Sequence, residues 1–429
     1  MKLLSLIVPA YNDAKYLHSC LSSISSQLSS DVELLIIDDG SNDATPLICR
    51  EYSKDCDSIH VITHERRQGA SAARNTGLAN ARSRYVAFID SDDQLHPGAI
   101  SVILGAVTNG LYAEVIVGQW SGQSHTANNR EMFRKNSFER VKSDEFIGHL
   151  NKFEYLPDVC WHYVIERQFL IRNRLTFIDA KVGEDQVFVA GILCLASEIL
   201  LVPELFYWHR SKPGGLKSSR DVETTLGYIK VLEKLFEFCE LPELTILKQV
   251  FLKRRVRHAR GVLLAHLTLL DSIGLKELCG RIGDRNSLIN VMLGTNNISR
   301  EKSRLVTITS VIHYCQESAR KKVLSSLPSN NYKKLYLFCC GVYALAAKQV
   351  FETNGYEVVG VVDNNKSGPE EKYVSSRLIG REMMCDEIID LEGQVNIVIC
   401  NPRERTYLTI REQLLKSNLS SECISHLAF

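Results

Sequence analysis

Carboxylate side chains follow a short apolar segment near residue 90. The segment Tyr85–Ile89 is apolar and leads directly into Asp90-Ser91-Asp92-Asp93. In open α/β sheets, ligands bind at the carboxyl ends of the strands. Two carboxylates one residue apart can both reach Mg²⁺ or Mn²⁺, which keeps free positions for phosphate oxygens of a substrate. The tetrad therefore predicts a metal and nucleoside-diphosphate site, with a solvated acidic turn as the alternative for an isolated Asp-x-Asp.

The preceding residues supply the elements that position this tetrad. Apolar runs predict strands at 4–8, 32–37, 59–62 and 85–89, and helical spacing predicts helices at 16–28 and 70–81. A strand, helix, strand order of this length gives parallel strands whose carboxyl ends share one edge. We therefore expect four side chains on a single edge of the sheet: Tyr11, Asp39, Asp90 and Asp92.

Four segments in this region carry a family resemblance. They are Ile7–Asn12, Asp38–Ser41, Gly69–Gly77 and Asp90–Asp93. In order and residue type they resemble the inverting family-two glycosyltransferases. The resemblance covers roughly the first half of the chain. It implies an α/β protein whose amino-terminal domain has the GT-A fold.

The resemblance also implies the residues that bind the donor. Tyr11 and Pro9 pack around the nucleotide, Asp39 accepts a hydrogen bond from the base, and Arg74 helps to hold the nucleotide. The two aspartates hold the ribose and the metal. A carboxylate is a suitable acceptor for an imide N–H, and a guanidinium suits an oxygen-rich ligand. A strand terminator at Pro9 and a surface cation at Arg74 are the alternatives. The full set is Pro9, Tyr11, Asp39, Arg74, Asp90 and Asp92.

A transfer to a hydroxyl acceptor also needs a general base, because the hydroxyl loses its proton as the bond to the diphosphate breaks. The tract Gly183–Phe188 resembles the acidic pair that these enzymes place at a helix start beside the acceptor. By that resemblance Asp185 is the base and Glu184 is its neighbour. Acidic residues also suit a first helical turn because of the helix dipole, which is the alternative explanation.

Cations and a histidine follow an aromatic tract at Phe206–Ser211. Neutral imidazole can complete a Mn²⁺ shell, so His209 is a candidate metal ligand, and a histidine in an aromatic cluster is the alternative. The Gly/Ser-rich stretch 211–219 could fold over a diphosphate. Arg210 and Lys217 are the candidates for contact with the pyrophosphate.

The remainder of the chain predicts two further parts. The pattern becomes helical after about residue 220, so we predict a GT-A domain at 1–219, a helical connector at 220–325 and a Rossmann-like α/β domain at 326–429. A dinucleotide-binding domain needs a pair of glycines where its backbone approaches the pyrophosphate, but the last part has Cys339 and Gly341 at these positions. We therefore favour a structural, oligomerisation or acceptor-positioning role over dinucleotide binding. The basic helix Lys253–Arg260 could meet anionic lipid, although a solvated helix face, or pairing with acids of a neighbouring domain, is favoured.

Composition limits the class of protein. The chain has 429 residues, 45% apolar and 24% charged, with a net charge of +1, which argues against nucleic-acid binding by bulk charge. A local basic strip, His64–Arg67, could still contact an anionic lipid or phosphate. The 13 cysteines show no zinc-site spacing, so we expect reduced core thiols and an oxygen-bound metal. The amino terminus enters a strand without a signal peptide pattern, which predicts a cytoplasmic protein with at most peripheral contact at the inner face of the membrane.

These observations predict an inverting, metal-dependent hexosyl- or N-acetylhexosaminyltransferase that uses Mn²⁺ or Mg²⁺. The donor is a nucleotide-diphosphate sugar, with UDP-sugar favoured, and the acceptor is a glycan or lipid-linked glycan in bacterial surface-polysaccharide or lipopolysaccharide assembly. A sugar-phosphate nucleotidyltransferase is an alternative, but it needs a glycine- and lysine-bearing phosphate loop that Pro9–Asp13 lacks. A non-catalytic sugar-nucleotide-binding regulator is the other alternative. Homo-oligomer formation is compatible with the sequence.

Overall fold

The computed structural model describes residues 2–54, 56–108, 111–122, 137–152, 158–210, 221–282, 320–327, 333–338, 342–363, 371–373, 376–380, 395–400, 410–412, 414–415 and 424–427. The chain divides into two compact units. One comprises Met1–Gly214 with Glu237–Lys253, and the other comprises Gly215–Phe236 with Arg254–Phe429. The predicted three-part division into 1–219, 220–325 and 326–429 stays a prediction.

The first unit is built on one mixed sheet. Its strands are β1 (Leu4–Ala10), β2 (Val32–Asp38), β3 (Ile59–Thr63), β4 (Tyr85–Phe88), β5 (Gln94–Leu95), β6 (Val115–Gly122), β7 (Glu139–Lys142), β8 (Tyr163–Glu166) and β9 (Glu198–His209). Its helices up to residue 195 are α1 (Ala14–Ser25), α2 (Thr45–Ser53), α3 (Ala70–Asn80), α4 (Ala99–Thr108), α5 (Ser143–Leu150), α6 (Arg167–Arg172) and α7 (Glu184–Leu195).

The strand order is β3-β2-β1-β4-β8-β6-β9-β5, with β7 paired to β9. The first four strands are parallel, which confirms the series predicted from the sequence. Strand β8 is antiparallel to β4 and begins the part of the sheet that the strand pattern did not predict. Parallel strands covered on both faces are apolar throughout, and β1 and β2 are buried almost completely.

Helix α3 packs very closely on the sheet because it carries a glycine at the contact. A Cβ at Gly77 would lie 2.3 Å from Cγ2 of Ile7 in β1. A larger residue at this position would push the helix away from the strand. Arg74 and Asn75 lie on the same helix, so this close approach also fixes the height of both side chains relative to the strand ends.

The described part of the second unit contains helical segments and a smaller sheet. The helical prediction after residue 220 is confirmed by α8 (Val222–Cys239), α9 (Ile246–Leu269) and α10 (Ser272–Ile282), of which 237–239 and 246–253 fall in the first unit. The smaller sheet contains β10 (Lys334–Phe338), β11 (Glu357–Asp363), β12 (Glu371–Tyr373), β13 (Ser376–Gly380), β14 (Asn396–Cys400) and β15 (Ile424–Leu427), with α11 (Val342–Thr353) between β10 and β11.

The smaller sheet has the order β12-β13-β11-β10-β14-β15, and β11, β10 and β14 are parallel. A strand, helix, strand unit therefore begins at Lys334. Residues 339–341, which hold the incomplete glycine signature, lie outside the described residues. The Rossmann-like classification and any nucleotide role of this sheet stay predictions.

A buried carboxylate holds the amino-terminal ends of the central strands together. Glu33 in β2 accepts hydrogen bonds from Ser5 Oγ at 2.5 Å, from the Arg82 N–H at 2.8 Å and from Ser83 Oγ at 3.0 Å. Burial by itself raises the pKa of Glu33, but these hydrogen bonds lower it below its ordinary value. The interaction therefore stabilises the fold most when Glu33 is ionised.

We expect Glu33→Gln to lower the free energy of unfolding by about 1–2 kcal/mol at pH 7, because charge-assisted hydrogen bonds are replaced by neutral ones. The folded-state pKa is the lower one, so the difference from wild type shrinks as the pH falls below the ordinary value of 4.5. Urea unfolding at pH 7 and pH 4 measures both effects. Glu51→Gln on the exposed face of α2 is the matched control, and equal losses in the two variants would contradict the assignment.

Candidate functional site

Three neighbouring parallel strands end at one edge of the large sheet. Tyr11 follows β1, Asp39 follows β2, and the tetrad starting at Asp90 follows β4. Since β2, β1 and β4 are adjacent and parallel, the predicted placement of these side chains along one edge is confirmed. Pro9 lies in β1 opposite Ile37 of β2, one strand position before this edge.

The tetrad is held by hydrogen bonds from residues near the end of β9. Asp93 accepts a hydrogen bond from the Tyr207 hydroxyl at 2.6 Å and from the Arg210 N–H at 2.7 Å. The Tyr207 hydroxyl accepts one from the Asp90 N–H at 3.1 Å. Burial and the charge of Asp90 raise the pKa of Asp93 to about 7. Asp93 therefore fixes the loop, while its neighbours Asp90 and Asp92 are more exposed.

Arg74 lies at the centre of what we call the Arg74 cluster (Arg74, Asp90, Glu184 and Asp185). Its guanidinium donates to Asp90 Oδ1 at 2.9 Å and to Glu184 Oε1 at 3.0 Å, and it lies 3.4 Å from Asp185 Oδ1. Arg74 is only 5% exposed. Burial by itself lowers its pKa, but the surrounding carboxylates, Asp185 first, raise it above the ordinary value. The predicted nucleotide-holding role stays a prediction, and the alternative of a surface cation is wrong because Arg74 is buried.

Local contacts explain how helix α7 reaches Arg74. The amide of Asn75 exchanges hydrogen bonds with the backbone of Phe177, at 2.8 Å and 2.9 Å. The ring of Phe177 stacks on Phe188 of α7 at 4.1 Å between centroids and meets Phe88 of β4 edge-on at 5.0 Å. The segment before α7 is thus fixed to both α3 and β4, which places the first turn of α7 beside the strand end.

Asp185 occupies an environment suited to a proton acceptor near neutral pH. Its side chain is 19% exposed. Burial raises its pKa to about 7, the charge of Arg74 opposes this rise, and the charges of Glu184 and Asp90 add to it. The thiol of Cys160 donates a hydrogen bond to it, which also opposes the rise. A base with a pKa near the working pH is the efficient choice for general base catalysis.

Asp90 and Asp92 fit a metal that is bound partly by its substrate. The Asp90 side chain is 30% exposed and uses one oxygen for Arg74, and Asp92 is partly exposed. Across the described ranges, no group of three or more His, Cys, Asp or Glu residues is arranged to hold a metal ion. Mg²⁺ typically takes one or two protein carboxylates and completes its shell with water and phosphate oxygens. The donor set matches that pattern, and the metal roles of both aspartates stay predictions.

His209 lies in an aromatic cluster at the end of β9. Trp161 stacks on Tyr207 at 4.2 Å and on His209 at 5.7 Å, and Trp120 meets His209 edge-on at 6.2 Å. Burial, together with the charge of His209, lowers the pKa of the neighbouring His162 to about 3, so His162 is neutral. These contacts support the aromatic-cluster alternative for His209, and its metal role stays a prediction.

Arg210 lies directly against the tetrad. Its Nε–H donates to the Asp92 carbonyl at 2.9 Å, and its guanidinium lies over the rings of Tyr16 and Trp208 at 5.1 Å and 4.9 Å. It is therefore positioned beside the carboxylates, and the predicted contact with pyrophosphate stays a prediction. Lys217, the second candidate, lies outside the described residues.

Asp39 and Tyr11 are both in contact with the loop 64–69. Asp39 is 3% exposed and accepts hydrogen bonds from His64, Gln68 and Gly69. The guanidinium of Arg67 lies over the Tyr11 ring at 4.3 Å. The predicted basic strip at His64–Arg67 is wrong for His64, which is buried and bonds to Asp39. The next three residues are exposed.

The contacts of four residues at this site were not predicted from the sequence: Cys160, His64, Asp93 and Tyr207. Asp93 belongs to the predicted tetrad and Tyr207 to the aromatic tract at Phe206–Ser211. The sequence pattern marked both segments, but it did not predict the hydrogen bond between these two residues. Cys160 had no spacing pattern that distinguished it from core residues, and His64 was named only as part of the basic strip His64–Arg67. Their roles depend on contacts between segments that are distant in sequence.

Among the helices in the described ranges, none combines the length and the apolar character needed to cross a bilayer. The apolar tract 191–208 is divided between α7 and β9.

Comparison with known proteins adds a family match and distant relatives. Residues 5–175 match the model of the family described as Glycosyl transferase family 2. Glycosyltransferase GlyA of Streptococcus pneumoniae is 29% identical over 224 residues, which cover 50% of this chain and 31% of GlyA. Minor teichoic acid biosynthesis protein GgaA of Bacillus subtilis is 30% identical over 224 residues, covering 48% of this chain and 47% of GgaA. The match spans less than half the length of both relatives.

One solved structure with a fold similar to that of this chain is TarS of S. aureus. TarS residues 1–349 of S. aureus, crystallised in complex with UDP-GlcNAc, has a TM-score of 0.50 and 16% identity. The similarity covers 88% of this chain and 96% of that chain. At this identity the likeness shows the fold. Together with the strand order, it shows that the first unit has the GT-A fold, and residues 5–175 within it match the model of glycosyl transferase family 2.

Proposed function

We propose that this chain is an inverting glycosyltransferase that moves a sugar from a UDP-sugar to a hydroxyl of a glycan or lipid-linked glycan acceptor. The Arg74 cluster is the observation that carries the proposal. In this cluster, Asp90 at the carboxyl end of β4 lies close to Glu184 and Asp185 in the first turn of α7. The two segments are more than 90 residues apart in the sequence. One buried cation therefore joins the predicted donor-binding group and the predicted base.

The proposed reaction is a single displacement at the anomeric carbon. Asp185 accepts the proton of the acceptor hydroxyl, the hydroxyl oxygen forms the new glycosidic bond, and the bond to the diphosphate breaks with its electron pair leaving on the diphosphate. One in-line displacement inverts the configuration. The pKa of about 7 leaves Asp185 largely able to accept that proton above neutral pH.

The remaining residues bind and orient the donor. Tyr11, Pro9 and Asp39 are proposed to hold the nucleoside, and Arg210 with Lys217 the pyrophosphate. Asp90 and Asp92, with His209 as a candidate third ligand, are proposed to hold Mn²⁺ or Mg²⁺. When bound, the divalent metal neutralises charge on the diphosphate leaving group.

The setting of the reaction is proposed from the relatives. GgaA is a teichoic acid biosynthesis protein by name, and TarS was crystallised with UDP-GlcNAc. These names support polysaccharide assembly as the process and UDP-N-acetylhexosamine as a first donor to test. A cytoplasmic location, peripheral contact with the membrane and homo-oligomer formation stay predictions.

We expect Asp92→Asn to weaken metal-dependent UDP binding by about tenfold or more, because a neutral amide is a poorer ligand for a hard cation than a carboxylate. Calorimetric titration with UDP, with and without Mn²⁺, measures the effect. Asp57→Asn, at an exposed position just before the amino-terminal end of β3, is the control. Unchanged Mn²⁺-dependent binding in Asp92→Asn would remove Asp92 from the site.

A further inference from the structure

The carboxylate of Asp39 is enclosed by the loop that follows β3. Its Oδ1 accepts hydrogen bonds from His64 Nδ1 at 2.7 Å and from the Gln68 N–H at 2.8 Å, and its Oδ2 accepts one from the Gly69 N–H at 2.7 Å. Only 4% of the Asp39 side chain is exposed. We call this group, together with Thr76, the Asp39 network (Asp39, His64, Gln68, Gly69 and Thr76).

His64 connects Asp39 to helix α3. Its Nε2 lies 2.9 Å from the Thr76 hydroxyl, and its side chain is 7% exposed. A carboxylate accepts and does not donate, so the ring nitrogen that faces Asp39 carries a proton. For the neutral ring, the other nitrogen is then an acceptor, and the Thr76 hydroxyl donates to it. The two partners together assign the tautomer of His64.

The Asp39 network leaves little freedom to the carboxylate. An ionised carboxylate has about four acceptor positions, and three of those on Asp39 are filled by described residues. The turn after Asp39 also packs on the loop, because a Cβ at Gly40, where φ is +72°, would lie 2.8 Å from backbone atoms of Arg66 and Arg67. Oδ2 therefore has one position remaining, in a fixed direction.

We propose that His64 and Thr76 are positioning residues for nucleobase recognition. They hold Asp39 as an acceptor-only carboxylate whose remaining position takes the imide N–H of a uracil base. This inference rests on the proposed function, since it assigns the nucleoside end of the donor to Asp39. It adds that the selectivity for the base depends on the donor from His64 and on the hydroxyl behind it.

Selectivity between uracil and cytosine follows from the direction of one hydrogen. Uracil presents an N–H at ring position 3, whereas cytosine presents a lone pair there, which would face the lone pair of Asp39. A site built to accept a ligand N–H strongly rejects an analogue without it, because buried polar groups are left unpaired. The unaltered protein should therefore bind UDP much more tightly than CDP.

Two conservative variants of His64 separate positioning from packing. In His64→Asn the amide nitrogen can take the place of Nδ1 and keep the donor to Asp39, while the contact with Thr76 is lost. In His64→Gln the amide reaches the place of Nε2 and keeps Thr76, while the donor to Asp39 is lost. Thr76→Val removes only the hydroxyl, and Thr63→Val, an exposed position in β3, is its control.

Calorimetric titration of the full chain with UDP and with CDP, both with Mn²⁺, measures the ratio of affinities. We expect His64→Gln to lower UDP affinity by about 10–100-fold and to leave CDP affinity unchanged, because the lost hydrogen bond is to a charged, buried group. His64→Asn and Thr76→Val both keep the donor to Asp39 and lose the contact between His64 and Thr76, so each should lower the ratio by about three- to tenfold. Thr63→Val should have no effect.

Three results would overturn parts of the inference. An unchanged ratio of UDP to CDP affinity in folded His64→Gln shows that His64 is only structural. If His64→Gln does not fold, an unchanged ratio in Thr76→Val contradicts the positioning role of the Asp39 network. A ratio lost in His64→Gln but kept in Thr76→Val removes Thr76. If the unaltered protein binds UDP with no preference over CDP, the recognition of the base fails although the proposed donor site stands. If it binds no nucleotide, the proposed function itself fails.

Discussion

Replacing Asp185 by asparagine is expected to lower the rate of sugar transfer by about two to four orders of magnitude, the usual contribution of a positioned general base. An amide cannot accept the proton of the acceptor hydroxyl. Donor binding should be retained, because asparagine has nearly the size of aspartate and Arg74 keeps its bonds to Asp90 and Glu184. Transfer from UDP-GlcNAc to a panel of glycan acceptors, compared with UDP affinity, measures the two effects.

The pH dependence gives a second test of the same assignment. The base must be ionised, and its pKa is raised to about 7, so the wild-type rate should fall about tenfold per pH unit below neutral pH. The small residual rate of Asp185→Asn should lack this fall. Glu184→Gln is the matched variant, since Glu184 contacts the same arginine. Full activity of Asp185→Asn with loss in Glu184→Gln would move the base to Glu184.

Arg74→Met is expected to lower the free energy of unfolding by about 3–5 kcal/mol at pH 8, because removing the cation leaves close carboxylates uncompensated. Asp90, Glu184 and Asp185 would then repel one another. Without the opposing charge of Arg74, the pKa of Asp185, already raised by burial, rises further, so the folded variant binds more protons than the unfolded chain and the loss becomes smaller as the pH falls toward 5. Urea unfolding at pH 8 and pH 5 checks both the magnitude and the sign.

Arg50→Met on the exposed side of α2 is the control for replacing a helical arginine. It should change the free energy of unfolding by less than about 0.5 kcal/mol. Arg74→Lys keeps a positive charge but cannot make several directed hydrogen bonds, so an intermediate loss is expected. A loss below about 1 kcal/mol in Arg74→Met would show that the cluster does not hold α7 to the strand end.

Much of the amino-terminal fold follows from local patterns. Apolar runs of strand length, such as Leu4–Ala10 and Val32–Asp38, and the helical spacing of Leu17, Cys20, Leu21 and Ile24 predict β1, α1 and β2, and all four residues of that helix are buried. The order strand, helix, strand dictates parallel pairing. The second half of the sheet did not follow from the sequence, because β8 pairs with β4 across about 80 residues and no local pattern specifies such a partner.

The candidate site shows the same division. The tetrad and the Glu184-Asp185 pair were predicted from residue type and from their positions at a strand end and a helix start. The sequence did not predict that one arginine contacts both, because Arg74 and Glu184 are 110 positions apart. Nor did it predict that His64 contacts Asp39 and that Tyr207 donates to Asp93, since a histidine or a tyrosine at these positions could equally be an ordinary core residue.

The sequence by itself therefore determined the first four strands with helices α1 and α3, the parallel direction of those strands, and which carboxylates stand at their ends. These depend on hydrophobic periodicity and on chain direction, which are local properties. The tertiary structure decided which charges are paired and how far their pKa values move, as it does for Asp93 and Asp185, both raised to about 7. Burial and the distances to charges on other segments control those quantities, and both exist only after the distant segments have packed together.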